Sequence, residues 1–280
     1  MCVFFLALQP SSRYVLVAAN NRDEFFARET TQAAFWDDAP FILAGRDVEG
    51  GGTWIGVSTD GKLATLTNIR GPYQQPKRSG AKSRGTLVSE FLKSDCNQTP
   101  QDYCQSVLSN AHLYSGFNLI TARIKPEVEA TYCTNGDPVT SHSLSPGVYG
   151  LSNERLDSPW KKVTRGKSRF SECVSHLQTG AVDEDECERQ LLDLLCDQTC
   201  LHPDENVPTL GFPEPVLRDL NSVFVPPTSL VDSGLYGTRT HTVVMVSASG
   251  EVRYTERTRA MPVDLAQPRW ETKRFTFHAT

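Results

Sequence analysis

Residues 3–8 and 14–19 are short, almost wholly apolar runs separated by Gln9-Pro10-Ser11-Ser12, a turn-forming connector. Their length and boundaries predict two strands of a buried hairpin that begins at residue 2. A second hairpin is predicted from residues 53–58 and 63–68 around Thr59-Asp60-Gly61, where Asp-Gly supplies the positive φ a tight turn needs. A third is predicted from 242–247 and 251–255 around Ala248-Ser249-Gly250. Further strands are read near 118–123, 129–133 and 148–151.

Apolar residues recur at three- and four-residue spacing over 85–93, 101–111, 160–177 and 183–196, which predicts amphipathic helices there. Strands come in antiparallel runs and helices in separate groups. That order favours an α+β arrangement, two stacked sheets with helices outside, over an alternating βαβ fold. Prolines cluster between 203 and 227, read as a long ordered surface excursion. No internal repeat and no domain boundary is visible, so 1–280 is read as a single domain.

A formal charge of −5 argues against a nucleic-acid partner, because phosphate binding leans on a positive face. With 39% apolar and 22% charged residues, the chain has the composition of an ordered globule. The longest apolar runs fall far short of the roughly 20 residues a membrane-spanning helix needs. The start lacks a basic n-region and breaks at Pro10, so no signal peptide is expected. Eight dispersed cysteines fit free thiols in a reducing compartment, and the cytoplasm is the expected location.

Asn21-Arg22-Asp23-Glu24 follows an apolar strand directly, and Phe25, Arg28 and the block Gly51-Gly52-Thr53-Trp54-Ile55-Gly56 extend the pattern. Leu66-Thr67-Asn68, Ser83-Arg84-Gly85, Tyr149-Gly150-Leu151-Ser152-Asn153, Pro159-Trp160 and Tyr236-Gly237-Thr238-Arg239-Thr240 continue it along the chain. In these blocks the sequence resembles the NRDE-motif family, also called the transport and Golgi organisation protein family, and its eukaryotic members in particular. The resemblance implies a four-layer α-β-β-α sandwich of N-terminal-nucleophile hydrolase type, distantly related to the penicillin V acylase and choloylglycine hydrolase group. It also implies roles in Golgi organisation, mitochondrial and lipid metabolism and haem movement, and so mitochondrial or Golgi association.

Cysteine is small enough for the initiator Met to be removed, which would place a thiol and a free α-amine on Cys2. An amine of pKa about 7.7–8 can take the proton of a thiol near 8.5 without a separate histidine. Attack on an amide or thioester carbonyl then gives an acyl-enzyme whose oxyanion needs nearby donors. By resemblance to the acylases, Asn68 and Asn153 are the candidate oxyanion and amine-orienting amides, Asp23 the holder of the amine and Arg239 a late cation. Arg22 would lower the thiol pKa or hold an acidic substrate. The acylases separate the corresponding Arg and Asp by two residues, whereas here they are adjacent and point to opposite faces of a regular strand. Structural alternatives stand beside each: turn-forming amides for Asn68 and Asn153, an Arg22–Glu24 ion pair, a strand-edge charge at Arg239.

Asn21, Trp54, Lys77, Arg78, Lys82 and Arg84 are candidate ligand-binding residues. The last four belong to a stretch from Arg70 to Ser89 with several cations and no acid, readable as a lid that receives a carboxylate or phosphate or as a solvated loop. Cys196, Cys200 and His202 approach metal-ligand spacing but lack a closing set, so no metal is expected. Two functions follow. One is a ligand carrier for haem or acyl-CoA and related lipids, a small hydrophobic anionic cargo, with peripheral membrane contact, no required cofactor and haem only as cargo. The other is a cysteine hydrolase of amides or thioesters acting through Cys2.

Overall fold

The computed structural model describes residues 2–73, 79–124, 127–230 and 234–280. Strand β1 (Val3–Leu8) pairs antiparallel with β2 (Tyr14–Phe25), Val3 lying opposite Asn21. The chain then makes β3 (Thr30–Trp36), β4 (Ala39–Asp47), β5 (Ile55–Ser58) and β6 (Lys62–Asn68). The β5–β6 turn carries Gly61 at φ 81°, as its Asp-Gly step predicts. Helices α1 (Gly85–Lys93) and α2 (Pro100–Ser109) lead to β7 (Phe117–Arg123), β8 (Glu129–Thr134), β9 (Thr140–Ser143) and β10 (Gly147–Leu151). Helices α3 (Lys161–Thr179), α4 (Glu184–Leu195) and α5 (Glu214–Leu220) precede β11 (Thr228–Leu230), β12 (Gly234–Ser247), β13 (Glu251–Arg259) and β14 (Trp270–His278).

Among the described residues the strands form two antiparallel sheets, β10-β1-β2-β12-β13-β14 with β11 on β12, and β3-β4-β5-β6-β7-β8-β9. Strand alternation assigns the layers. Even-numbered Phe4, Leu6 and Leu8 of β1 pack between the sheets with Leu43, Ile55, Val57 and Leu63, while odd-numbered Val3, Phe5 and Ala7 meet Phe170, Val174, Leu191 and Leu195 of α3 and α4. On the far side, Ala64 and Leu66 of β6 pack under Leu87, Phe91 and Leu92 of α1 and Cys104 of α2. The result is the four-layer α-β-β-α sandwich expected from the sequence, with Cys2 immediately before β1, an internal strand of its sheet.

The helix ends follow local chemistry. Thr99 caps α2 by accepting from the Asp102 amide at 3.1 Å, with Pro100 at the first helical position. Asp183 caps α4, accepting from the Glu186 amide at 2.9 Å, and α3 stops at left-handed Gly180. The predicted helices match to within a residue or two at each end. The proline-rich excursion is ordered as expected, and it contains α5. Unexpected are the β3–β4 hairpin, the short strands β9 and β11, and the edge strand β14. No described helix is long and apolar enough to cross a membrane. All eight cysteines are among the described residues and are free thiols.

Candidate functional site: a cleft headed by Cys2

Cys2 precedes β1 at the end of the inter-sheet layer, where β6 also ends at Asn68 and β2 runs through its Asn-Arg-Asp-Glu segment. Two cavities meet there. The larger, about 570 Å³, is walled by Arg22, Trp54, Asn68 and the approach to α1. The smaller, about 180 Å³, is walled by Ile69, Arg70, Asn153, Phe212, Leu220 and Leu230. Cys2, Asp23, Phe25, Asn68 and Tyr236 line both.

The Cys2 Sγ lies 3.9 Å from the Asp23 carbonyl oxygen. Burial raises the thiol pKa above its ordinary value, and the Asp23 carboxylate pushes it the same way; the nearby Arg22 pulls it down but does not win. The Ser152 hydroxyl fixes this end of the chain by donating to the Cys2 carbonyl at 2.9 Å. Asn153 gives its amide to the Asn68 carbonyl at 2.6 Å, and its own carbonyl accepts from the Arg70 amide at 2.9 Å. Asn153 therefore holds the backbone that presents Asn68, whose side chain borders both cavities and has no hydrogen-bond partner among the described residues.

Arg22 and Asp23 do take opposite faces. Arg22 turns between the sheets, stacks on Trp54 with its guanidinium carbon 4.5 Å from the ring centroid, and pairs with Asp47 at 3.1 Å and Glu24 at 3.7 Å. Arg28 extends this wall, bonding Asp47 at 2.7 Å and Glu49 at 3.1 Å. The ion pair weighed for Arg22 and Glu24 thus exists within a larger network. Asp23 turns toward the helices, where its Oδ1 accepts from the Thr238 hydroxyl at 2.6 Å. Burial raises its pKa, opposed by the cation of Lys162 on α3 and by the Thr238 bond. Lys162, 1% exposed, donates to the Leu220 carbonyl at 3.0 Å, and burial lowers its pKa to about 8.

Trp54 lines the larger cavity, its buried indole N–H lacking a partner among the described residues. Lys82 is exposed at the rim, and the Arg84 guanidinium donates to the Gly116 carbonyl at 2.9 Å. Lys77 and Arg78 lie outside the described residues. The glycine run brings Gly52 against the start of α1 so tightly that a Cβ there would fall 2.2 Å from the Gly85 carbonyl carbon.

Two expectations are corrected by geometry. Asn21, expected to bind ligand, borders neither cavity; it donates to the Leu195 and Val223 carbonyls at 2.8 and 2.9 Å and meets His241 Nδ1 at 2.6 Å. Arg239, expected as the late cation, is the extra residue where the β12–β2 register shifts between Thr238 and Thr240. The bulge turns its guanidinium onto the Phe25 carbonyl at 3.1 Å and the Arg28 carbonyl, away from both cavities. Sequence reasoning missed Tyr236, whose hydroxyl donates to the Asp23 carbonyl at 3.0 Å, and Lys162. The signal for Lys162 was present, since it falls on the apolar stripe shared by Val163, Gly166, Phe170 and Val174. Cys196, Cys200 and His202 take separate partners, in His241, the Arg218 carbonyl and Glu214.

Two stacked antiparallel sheets between helix layers, with a cleft opening at the cysteine that precedes β1, define an α+β sandwich protein. The chain belongs to the Transport and Golgi organisation 2 family, whose model matches residues 1–261. The Transport and Golgi organization 2 homolog of Mus musculus and the corresponding protein of Homo sapiens are each 39% identical to it over 99% of both chains. Transport and Golgi organization protein 2 of Drosophila melanogaster is 29% identical over 92% of each. Among solved structures, penicillin V acylase from Agrobacterium tumefaciens superposes with a TM-score of 0.49 at 11% identity, covering 95% of this chain and 87% of its own. The Caenorhabditis elegans ortholog of N-acylethanolamine-hydrolyzing acid amidase gives 0.47 at 14%, covering 86% and 92%.

Proposed function

We propose that the chain binds and mobilises an anionic ligand with an apolar body, of the class of haem or an acyl-CoA, in the cleft headed by Cys2. The observation that carries this reading is the junction of the two cavities at Cys2, one of about 570 Å³, a volume typical of small-molecule sites. The wall cations Arg22 and Arg28 are neutralised by Asp47, Glu24 and Glu49, so within the larger cavity an anionic group meets Lys82 and Arg84 at the rim. Titration of palmitoyl-CoA and of haemin against the protein, followed by tryptophan fluorescence, tests the reading. A Lys82→Glu/Arg84→Glu variant is expected to bind on the order of tenfold more weakly. Equal affinity of the two proteins removes the rim from the account, and no binding of either compound removes the carrier function. A cytoplasmic site of action with Golgi, mitochondrial or peripheral membrane association belongs to the same proposal, and fractionation of cells expressing the tagged chain checks it.

A second reading, a cysteine hydrolase of amides or thioesters, is favoured by the convergence of the Cys2 thiol and the Asn68 amide on one cavity. Its base would be the α-amine that Met1 removal frees on Cys2, with Asp23 close by. Intact mass and peptide mapping after a limiting dose of iodoacetamide decide it. Retained Met1, or Cys2 labelling no faster than the other thiols, excludes the hydrolase.

A further inference from the structure

The smaller cavity contains a cation that no described residue satisfies. Arg70 follows Asn68 by two residues, and its backbone is tied to Asn153, so its position is set by the same contacts that build the Cys2 site. Its Nε, Nη1 and Nη2 are all buried, and none has a hydrogen-bond partner among the described residues. Burial lowers its pKa to about 10, and no acidic side chain among the described residues offsets it. Arg70 lies near enough to Lys162 for its cation to disfavour the charge of that lysine. Asp23, the carboxyl that shares this cavity, is already bonded to Thr238.

The guanidinium is nevertheless held in a fixed place. It stacks on Phe212, its central carbon 4.5 Å from the ring centroid, and Phe212 is backed by Tyr73 with centroids 4.8 Å apart. The Tyr73 amide bonds the Leu210 carbonyl at 2.8 Å, which joins this segment to the excursion before α5. Leu210 has φ 48° and Gly211 φ 80°, so a non-glycine residue accepts a left-handed backbone just where the chain delivers Phe212 to Arg70. A planar, rigidly stacked guanidinium with no donor bonded among the described residues, in a cavity whose apolar border is Ile69, Phe212, Leu220 and Leu230, matches one kind of occupant.

We propose that Arg70 is a second anion receptor of the site, besides the rim cations of the larger cavity, taking a terminal carboxylate or phosphate of the ligand into the cavity of about 180 Å³ beside Cys2. The cavity holds about six waters' worth of liquid, which limits the group entering it to a short apolar segment ending in the anion. The ligand would lie across Cys2, one anionic end on Arg70 and the rest of its body in the larger cavity. This rests on the Cys2-headed cleft and adds a second point of charge recognition, in its smaller arm.

The test uses Cys2 of the full chain as the reporter. Iodoacetate, ω-iodobutanoate and ω-iodohexanoate are compared with their amides for the rate of Cys2 alkylation, each ratio of acid to amide being normalised to that of glutathione. The wild type is expected to favour the acid on the order of tenfold at one chain length, Arg70→Lys to keep part of that preference, and Arg70→Gln to lose it. An acid-to-amide ratio unchanged by Arg70→Gln at every length overturns the proposal while leaving the cleft intact. Should Cys2 react with none of the reagents, the Cys2-headed reading falls, and Arg70 is judged by octanoate and octyl phosphate binding to wild type and Arg70→Gln. Equal affinities there overturn it; loss in the variant supports it, and the two probes separate carboxylate from phosphate. Because Arg70→Gln removes an unpaired buried charge, its Tm is expected to equal or exceed that of wild type, which separates lost recognition from lost folding.

Discussion

Glu256 offers a sharp test of how the two sheets meet behind the cleft. It lies on β13, 1% exposed, and faces the opposite sheet, where its Oε1 accepts from the Ala33 amide at 2.7 Å and from Thr258 at 3.2 Å. Oε2 is buried without a partner among the described residues. Burial pushes its pKa from 4.5 up to about 7; the Ala33 and Thr258 bonds and Arg22 only partly oppose this. A rise of that size corresponds to about 3 kcal/mol between the two protonation states. The sign follows from linkage: the folded state holds the proton more tightly, so full stability is present below pH 4.5 and is lost as the pH rises through about 7. Glu256→Gln keeps the shape, the Oε1 acceptor and the neutral form at every pH. Urea unfolding followed by circular dichroism should therefore show the variant equal to wild type near pH 4.5 and more stable by up to about 3 kcal/mol at pH 8. A stability difference that does not change between those two conditions would refute the reasoning.

Asn21→Ala strips the Leu195 and Val223 carbonyls and the His241 ring of their partner, and is expected to cost about 2–4 kcal/mol in chemical denaturation. Lys162→Met removes a charge that burial holds at a pKa of about 8. Here the folded pKa is lowered, so the penalty is present below about 8 and fades toward 10.5; the variant should gain up to about 3 kcal/mol at pH 7 and less at pH 10. Gly52→Ala drives a methyl into the Gly85 backbone and should cost about 1–3 kcal/mol while altering the rate of Cys2 alkylation, because Gly85 borders the larger cavity. A variant as stable as wild type, with unchanged labelling, would count against that close approach.

Where residues carried a regular period, the sequence was readable. β1 and the helical stripes of α1 to α4 appear within a residue or two of their expected ends, β2 starts as expected but runs six residues past residue 19 to Phe25, and the turn at Gly61 forms as its Asp-Gly step requires. β14 escaped because its Glu271-Thr272-Lys273-Arg274 stretch is exposed on both faces, which erases the apolar alternation of a half-buried strand. β3 and β4 escaped because the hairpin turns at Asp37-Asp38 without glycine or proline and its register shifts twice, breaking the period of two. Much of the site was legible as residue types: Cys2, Arg22, Asp23, Trp54, Asn68 and Asn153 all border a cavity. Arg239 was not, because one bulge in β12 decides which way its side chain turns, and nothing in Gly237-Thr238-Arg239-Thr240 announces a bulge.

Contiguity of Asn-Arg-Asp-Glu follows from the geometry of β2. Its odd-numbered members serve the helix layer and its even-numbered members serve the gap between the sheets. Asn21 pins the strand by reaching the end of α4 and the segment after α5, and Asp23 continues that face with its bond to Thr238. With those two fixed, Arg22 and Glu24 have only the inter-sheet side left, where they meet Asp47, Arg28 and Trp54. A one-residue slip of β2 would exchange the faces, burying Arg22 among the apolar side chains of α3 and α4 and emptying the cleft wall of its charge network. Asn21 therefore acts on the site without touching it: the two carbonyl bonds that keep it out of the cavity are what hold Arg22 in.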